Sequence, residues 1–175
     1  MIVRNKSQFL RSAFAVAALL LVAAGTRAGE IRGSSGNNFT LTPTATPGVF
    51  TLTHPGVARV SLLGNCTFDG TETLVMPATP DQPLTTTGTF QFVSADGSST
   101  LEAEVEGRGM PDPADPNFVN LHYIIKFTGG TGKMANARGK GELTGTAMLT
   151  SPTGGTTTFI FSGQISTHGH DNHIQ

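Results

Sequence analysis

At 175 residues the chain is long enough for one domain with an adequate core and too short for several. Its 22 glycines, its lack of tryptophan and a charged fraction of only 13% favour short strands and turns over helices. The formal charge is −1, and without Arg4, Lys6, Arg11 and Arg27 the remainder holds 7 basic against 12 acidic residues, a charge of −5. That balance excludes the clustered Lys and Arg that nucleic acid and anionic lipid reward.

Residues Met1 to Ala28 read as an export signal. Arg4, Lys6 and Arg11 supply a basic start, Ala13 to Ala24 is an apolar run, and Thr26-Arg27-Ala28 offers small residues for cleavage. The run is too short to span a bilayer, which takes about 20 residues. The expectation is a bacterial-type signal peptide cleaved after Ala28, a secreted or periplasmic product and no stable membrane insertion afterwards; an uncleaved anchor is the alternative. Cys66 is the only cysteine, so the fold must hold without an internal disulfide.

Residues 29–55 are rich in Gly, Ser, Asn, Thr and Pro and are expected to form a flexible N-terminal segment, with a first strand at Val49 to Thr53 as an option. From Val57 the period becomes two. Val60, Leu62, Gly64, Cys66 and Phe68 share a face, and Asp69-Gly70 is a hairpin signal that returns the chain through Thr71 to Met76. Pro77 to Pro83 is a surface loop. Thr85 to Val93 is a strand with Phe90 and Phe92 on one face, turned back at Asp96-Gly97.

Leu101 to Glu106 alternates without fault, which sets Glu102, Glu104 and Glu106 on a solvated outer face, where neighbouring carboxylates repel least. Gly107 to Asn117 is a long loop, a lid over a barrel mouth or a plain connection. Asp112 and Asp115 in it do not match an EF-hand spacing. Leu121, Tyr123, Ile125 and Phe127 form one face of the next strand, and a closing hairpin follows over Gly141 to Thr150 and Thr156 to Ser166. The polar tail, residues 168–175, has histidines at 168, 170 and 173, a loose pattern without a scaffold for metal. No cofactor or metal site is expected.

Between the last two regions lies Gly129-Gly-Thr-Gly-Lys-Met-Ala-Asn-Ala-Arg-Gly139. It fails as a phosphate loop: the P-loop pattern places four residues between its first glycine and the Gly-Lys pair and puts a hydroxyl after the lysine. Here the gap is shorter, Met134 follows Lys133, and no helical period comes next. The expected role is a tight connection between strands. The stretch resembles the G-G-T-G-[RK]-F-x-x-A-x-G motif of the allene oxide cyclase and dirigent barrels, most of all their uncharacterised secreted bacterial relatives, with Met134 in place of phenylalanine. Gly56 to Phe68, Gly88 to Gly97 and Phe159 to Ile165 resemble further strands of those proteins.

Seven to nine short strands joined by hairpins predict an all-β fold, an antiparallel up-and-down barrel over residues 56–167 or, alternatively, a sandwich. The resemblance implies eight strands and a calycin-like closure. Such a barrel has room for packed side chains or one small ligand. The leading functional expectation is non-catalytic binding of a small hydrophobic molecule, or a structural role. An isomerase or cyclase of the allene oxide cyclase type is the alternative implied by the resemblance, and an extracellular interaction protein that associates through its outer sheet, with homo-oligomers as one outcome, is the third. By parity the inward polar candidates for catalysis are Glu72, Tyr123 and Cys66; with Phe90 and Phe92 they are also the candidate ligand-binding residues.

Overall fold

The computed structural model describes residues 28–79 and 82–167. The stretch read as an export signal, up to residue 27, and the tail 168–175 lie outside the described residues. Nine strands follow in order: β1 (Gly29–Pro43), β2 (Val49–Thr53), β3 (Gly56–Val60), β4 (Gly64–Val75), β5 (Leu84–Ser94), β6 (Thr100–Pro111), β7 (Phe118–Thr131), β8 (Arg138–Ser151) and β9 (Gly154–Ser166). From β3 to β9 each strand pairs antiparallel with the next, and β1 pairs with β9, so the sheet closes on itself. The fold is the expected barrel and not a sandwich.

Strands β2 and β3 occupy one place in that barrel. β1 sets Asn37 opposite Gly56 and Thr40 opposite Thr53, and β4 sets Phe68 opposite Gly56 and Thr71 opposite Thr53, so a single register runs through both. Between them lies Pro55, which has no N–H to place in a ladder. The barrel therefore has eight positions around its axis.

Three expectations are corrected. Residues 29–55 are not a flexible segment: β1 and β2 are built from them. Their low hydrophobicity has a packing reason. Ile31, Gly33, Ser35, Asn37 and Phe39 point inward in turn, and a side chain at Gly33 would run into the Phe161 ring, so a phenyl group from β9 fills what β1 leaves open. Asp69-Gly70 is not a turn. It lies mid-strand in β4, with Gly70 inward beneath Phe90 and His54. The real hairpin is at Ser61 to Leu63, where Gly64 takes a φ of 77° and Leu62 is exposed rather than on the apolar face. Finally, the loop expected at Gly107 to Asn117 shrinks, because β6 runs on to Pro111.

The remaining alternation is as read. Leu101, Ala103 and Val105 are buried with Glu102, Glu104 and Glu106 outside; Leu121, Tyr123, Ile125 and Phe127 are buried with His122, Ile124 and Lys126 outside. At the Asp96 turn the carboxylate accepts from Ser94 Oγ, Ser98 N and Ser98 Oγ, bonds that hold its pKa down to about 2, the Ser94 hydroxyl foremost.

The glycine-rich stretch is a connection that seals one end. Thr128 is an extra residue in β7, since Glu102 pairs with Gly129 and Ala103 with Phe127. Arg138 donates from Nη1 to the Thr128 and Ala137 carbonyls and so braces this bulge. A 3-10 turn over Gly132–Met134 then lays Met134 and Ala137 into the core. Nothing about it is a phosphate cradle: the Lys133 N–H is already given to Ser99 Oγ at 3.1 Å.

Gly130 has φ 150°, and a Cβ there would strike the Thr100 carbonyl. Gly130→Ala is expected to cost at least about 2 kcal/mol. Gly36 lies exposed in β1 with open space around it, and Gly36→Ala is expected to be neutral or to stabilise by up to about 1 kcal/mol. Urea midpoints of the two variants against the parent check both signs.

Candidate functional site

Parity decides what enters the barrel; height along the axis decides what meets. The half nearest the 3-10 turn is filled by Phe68, Phe92, Phe127 and Phe161, with ring centroids 5.2 Å apart for Phe68–Phe92 and 5.6 Å for Phe92–Phe161. Above this layer a polar cluster crosses the interior. Beyond the cluster, at the end formed by the β1–β2, β4–β5, β6–β7 and β8–β9 connections, the barrel opens into a cavity of about 180 Å³.

The cluster centres on His54 and Glu72, whose side chains are 1% and 0% exposed. His54 sits where β2 ends, in phase with Leu52, and Glu72 enters from β4 between Gly70 and Leu74. His54 Nε2 lies 2.8 Å from Glu72 Oε1, and Asn37 Nδ2 lies 3.0 Å from His54 Nδ1. An amide nitrogen only donates, so Nδ1 is the bare nitrogen and Nε2–H donates to Glu72. The second Asn37 N–H goes to Thr157 Oγ1 at 2.6 Å. Phe39, Phe90 and Phe159 surround the imidazole with centroids 5.9–6.3 Å away.

Tyr123 and Thr86 complete the group. Burial is the main reason the Tyr123 phenol is pushed far above its ordinary value, and the neighbouring Glu72 charge adds to it; the Thr86 hydroxyl works the other way. Room for these side chains comes from glycines. A Cβ at Gly107 would collide with the Tyr123 ring and approach Thr86 Oγ1 at 2.7 Å, and one at Gly88 would meet Glu72 Cγ at 2.8 Å. Three buried polar atoms lack a hydrogen bond of good geometry, Asn37 Oδ1, Glu72 Oε2 and Thr86 Oγ1, and the Tyr123 phenol is the group that faces the Glu72 and Thr86 side chains. Buried groups of this kind are uncommon and costly.

The cavity is lined mainly by aliphatic side chains, among them Leu41, Leu74, Leu84, Leu121 and Leu149, with Pro111 and Pro116 at its edge and His54, Thr86, Tyr123 and Thr157 at its floor. Met76, Met110 and Met148 are exposed at the same end of the barrel. The depression beside Ile124, Lys140 and Gln164 has a larger volume, about 460 Å³, but it is a groove on the outer wall.

Of the five sequence candidates the structure brings together three. Glu72 and Tyr123 face each other inside the barrel, and Phe90 packs against both Tyr123 and His54, at 6.2 and 6.1 Å. Cys66 and Phe92 are inward too, but lie in the filled half. Cys66 pairs with Ala58 and Ser94, its thiol reaches the Gly64 carbonyl at 3.5 Å, and burial pushes its pKa up, which suits a core thiol and not a nucleophile. His54, Asn37, Thr86 and Thr157 were not among the candidates. Phe50, Leu52 and His54 do share a parity, and that was the available signal. No group of three or more His, Cys, Asp or Glu gathers for a metal among the described residues.

Breaking the buried pair by Glu72→Ala is expected to cost about 3–5 kcal/mol, whereas Glu104→Ala, which removes an exposed 2.8 Å pair with Lys126, should change stability by less than about 1 kcal/mol. Tyr123 is the only tyrosine and there is no tryptophan, so phenolate absorbance reports it alone. The folded protein is expected to show no phenolate rise through pH 10–11, near the ordinary value of 10.0. Because the unfolded chain ionises there and the native one does not, stability should fall as pH rises above 10, by about 1.4 kcal/mol per pH unit from this group. A phenolate signal appearing before unfolding would contradict the burial. Comparison of the chain with protein-family models, with characterised proteins and with solved structures gives no match, so the site is read from its own geometry.

Proposed function

We propose that this chain is an exported, non-catalytic binding protein that holds a small, largely apolar molecule in the mouth of its barrel. The observation that carries the reading is the cavity of about 180 Å³, walled by aliphatic side chains, in a barrel whose other half is filled by phenyl rings. An engineered apolar cavity of about 150 Å³ holds benzene, so this volume suits a single ring or a short branched chain. The methionines at the same end add flexible apolar surface of the kind that accommodates varied partners.

An isomerase or cyclase of the allene oxide cyclase type is the competing reading, and the proximity of Glu72 to Tyr123 favours it. Against it, both nitrogens of His54 are engaged within the protein, and the raised pKa of Tyr123 makes the phenol a donor and not a base. An interaction protein docking through the outer wall has only separate exposed residues such as Val57, Ile124 and Ile160 in its favour. Single apolar residues of that kind are ordinary on a surface.

Toluene is expected to raise the melting temperature of the purified protein, with a ligand at 100 times its Kd contributing about 2.7 kcal/mol. Ala147, which lines the cavity, offers the control: Ala147→Phe should remove the toluene effect while the protein stays folded by circular dichroism. Absence of any shift or chemical-shift change with toluene in the parent protein would end the binding proposal.

A further inference from the structure

We infer that the molecule held in the barrel is a short single-chain amphiphile that enters hydrocarbon end first and keeps a neutral or cationic head group in water at the doorway. The inference rests on the cavity being a binding site and adds the class and orientation of its ligand. It starts from how the floor is satisfied. His54 gives Nε2–H to Glu72 and takes the Asn37 amide at Nδ1, and Thr157 Oγ1 accepts from the same amide. The Tyr123 phenol is the partner of both Thr86 and Glu72. Each polar side chain that reaches the floor is thus engaged within the protein, and Asn37 and Glu72 do not line the cavity. A ligand group that needs a hydrogen bond would lose water there and find no free partner.

The walls and the doorway decide where the polar end goes. Between floor and rim stand Leu41, Leu52, Leu74, Leu84, Leu121 and Leu149, and no Lys, Arg, Asp or Glu lines the cavity. Each methylene buried against such a wall tightens binding about fourfold, so hydrocarbon is favoured along the whole depth. An apolar cavity of about 150 Å³ holds the six carbons of benzene. The volume of about 180 Å³ therefore suits a chain of about six to eight carbons. The far end opens to solvent, so a head group left there keeps its water. Among the described residues the charged side chains in the loops around the doorway are Asp112 and Asp115, beside the edge prolines Pro111 and Pro116. Each is fixed by its Oδ1, which accepts from the Ala114 N–H and the Asn117 N–H respectively. Two negative charges at the rim disfavour a carboxylate head and leave a glycosyl or ammonium head unopposed.

Chemical-shift titration at neutral pH and low salt, with each compound below its micellar concentration, tests the reading. Alkyl glucosides from butyl to decyl are expected to tighten about fourfold per methylene up to about six to eight carbons and then level off. Hexyl glucoside, whose sugar is too large for the cavity, should bind as 1-hexanol does within about threefold, because neither head is buried. Hexane-1,6-diol, polar at both ends, should bind at least about 10-fold more weakly than 1-hexanol. Hexylamine should bind more tightly than hexanoate. The inference is overturned by a diol as tight as 1-hexanol, by loss of binding when the glucosyl head is added, by hexanoate at least as tight as hexylamine, or by tightening that continues to decyl. Toluene binding with any of those results removes only this inference, whereas failure of toluene and of every chain compound removes the binding function as well.

Discussion

The structure depends on the ladder between its first and last strands. β1 and β9 pair from Gly29 opposite Ile165 to Thr40 opposite Gly154, and those contacts turn an open sheet into a closed one. An open sheet would leave two rows of unpaired N–H and C=O groups, and Cys66 is alone, so no disulfide could hold the margins together. Closure by backbone hydrogen bonds does both tasks. It also fixes the inner width, because eight positions leave space only for side chains or a small guest.

Given that width, the residue at each inward position sets what the space becomes. Where phenylalanines from β4, β5, β7 and β9 meet, the interior is filled. Where leucines and prolines replace them, it is not. The polar cluster lies at the boundary and gives the interior a defined arrangement: His54 takes a bond at each nitrogen, and a slip of one residue in β2 would turn it out to solvent and leave Glu72 buried alone. A buried pair of this kind contributes little net stability compared with apolar packing. Its better-founded effect is to make one register much preferable to its neighbours.

The sequence was legible wherever inward positions are large and apolar. Leu101 to Val105 and Leu121 to Phe127 announce their faces without ambiguity, and parity alone put Glu72 and Tyr123 inside. β1 was hidden because its inward residues are Gly33, Ser35 and Asn37, small or polar, with the volume supplied by a phenyl ring from far along the chain. Asp69-Gly70 looked like a turn because glycine's missing side chain was read as backbone freedom, when it serves to admit the Phe90 and His54 rings. The site was harder still. Asn37 in β1, His54 just past β2 and Thr157 in β9 reach one point, with His54 and Thr157 17 and 120 residues from Asn37 in the chain. Period two distinguishes inside from outside and carries nothing about height, which is why Cys66 and Phe92 looked as eligible as Tyr123.

The closing ladder has an architectural corollary. Since Gly29 stands across from Ile165, β1 begins and β9 ends at the same pole of the barrel, opposite the leucine-lined entrance. A short linker could join the end of β9 to the start of β1 and the polypeptide be cut instead at a rim hairpin, a circular permutation of the barrel strands that keeps all ladders. A fusion partner or surface tether joined directly to the start of β1 or the end of β9 would hang from the sealed pole and leave the doorway unobstructed.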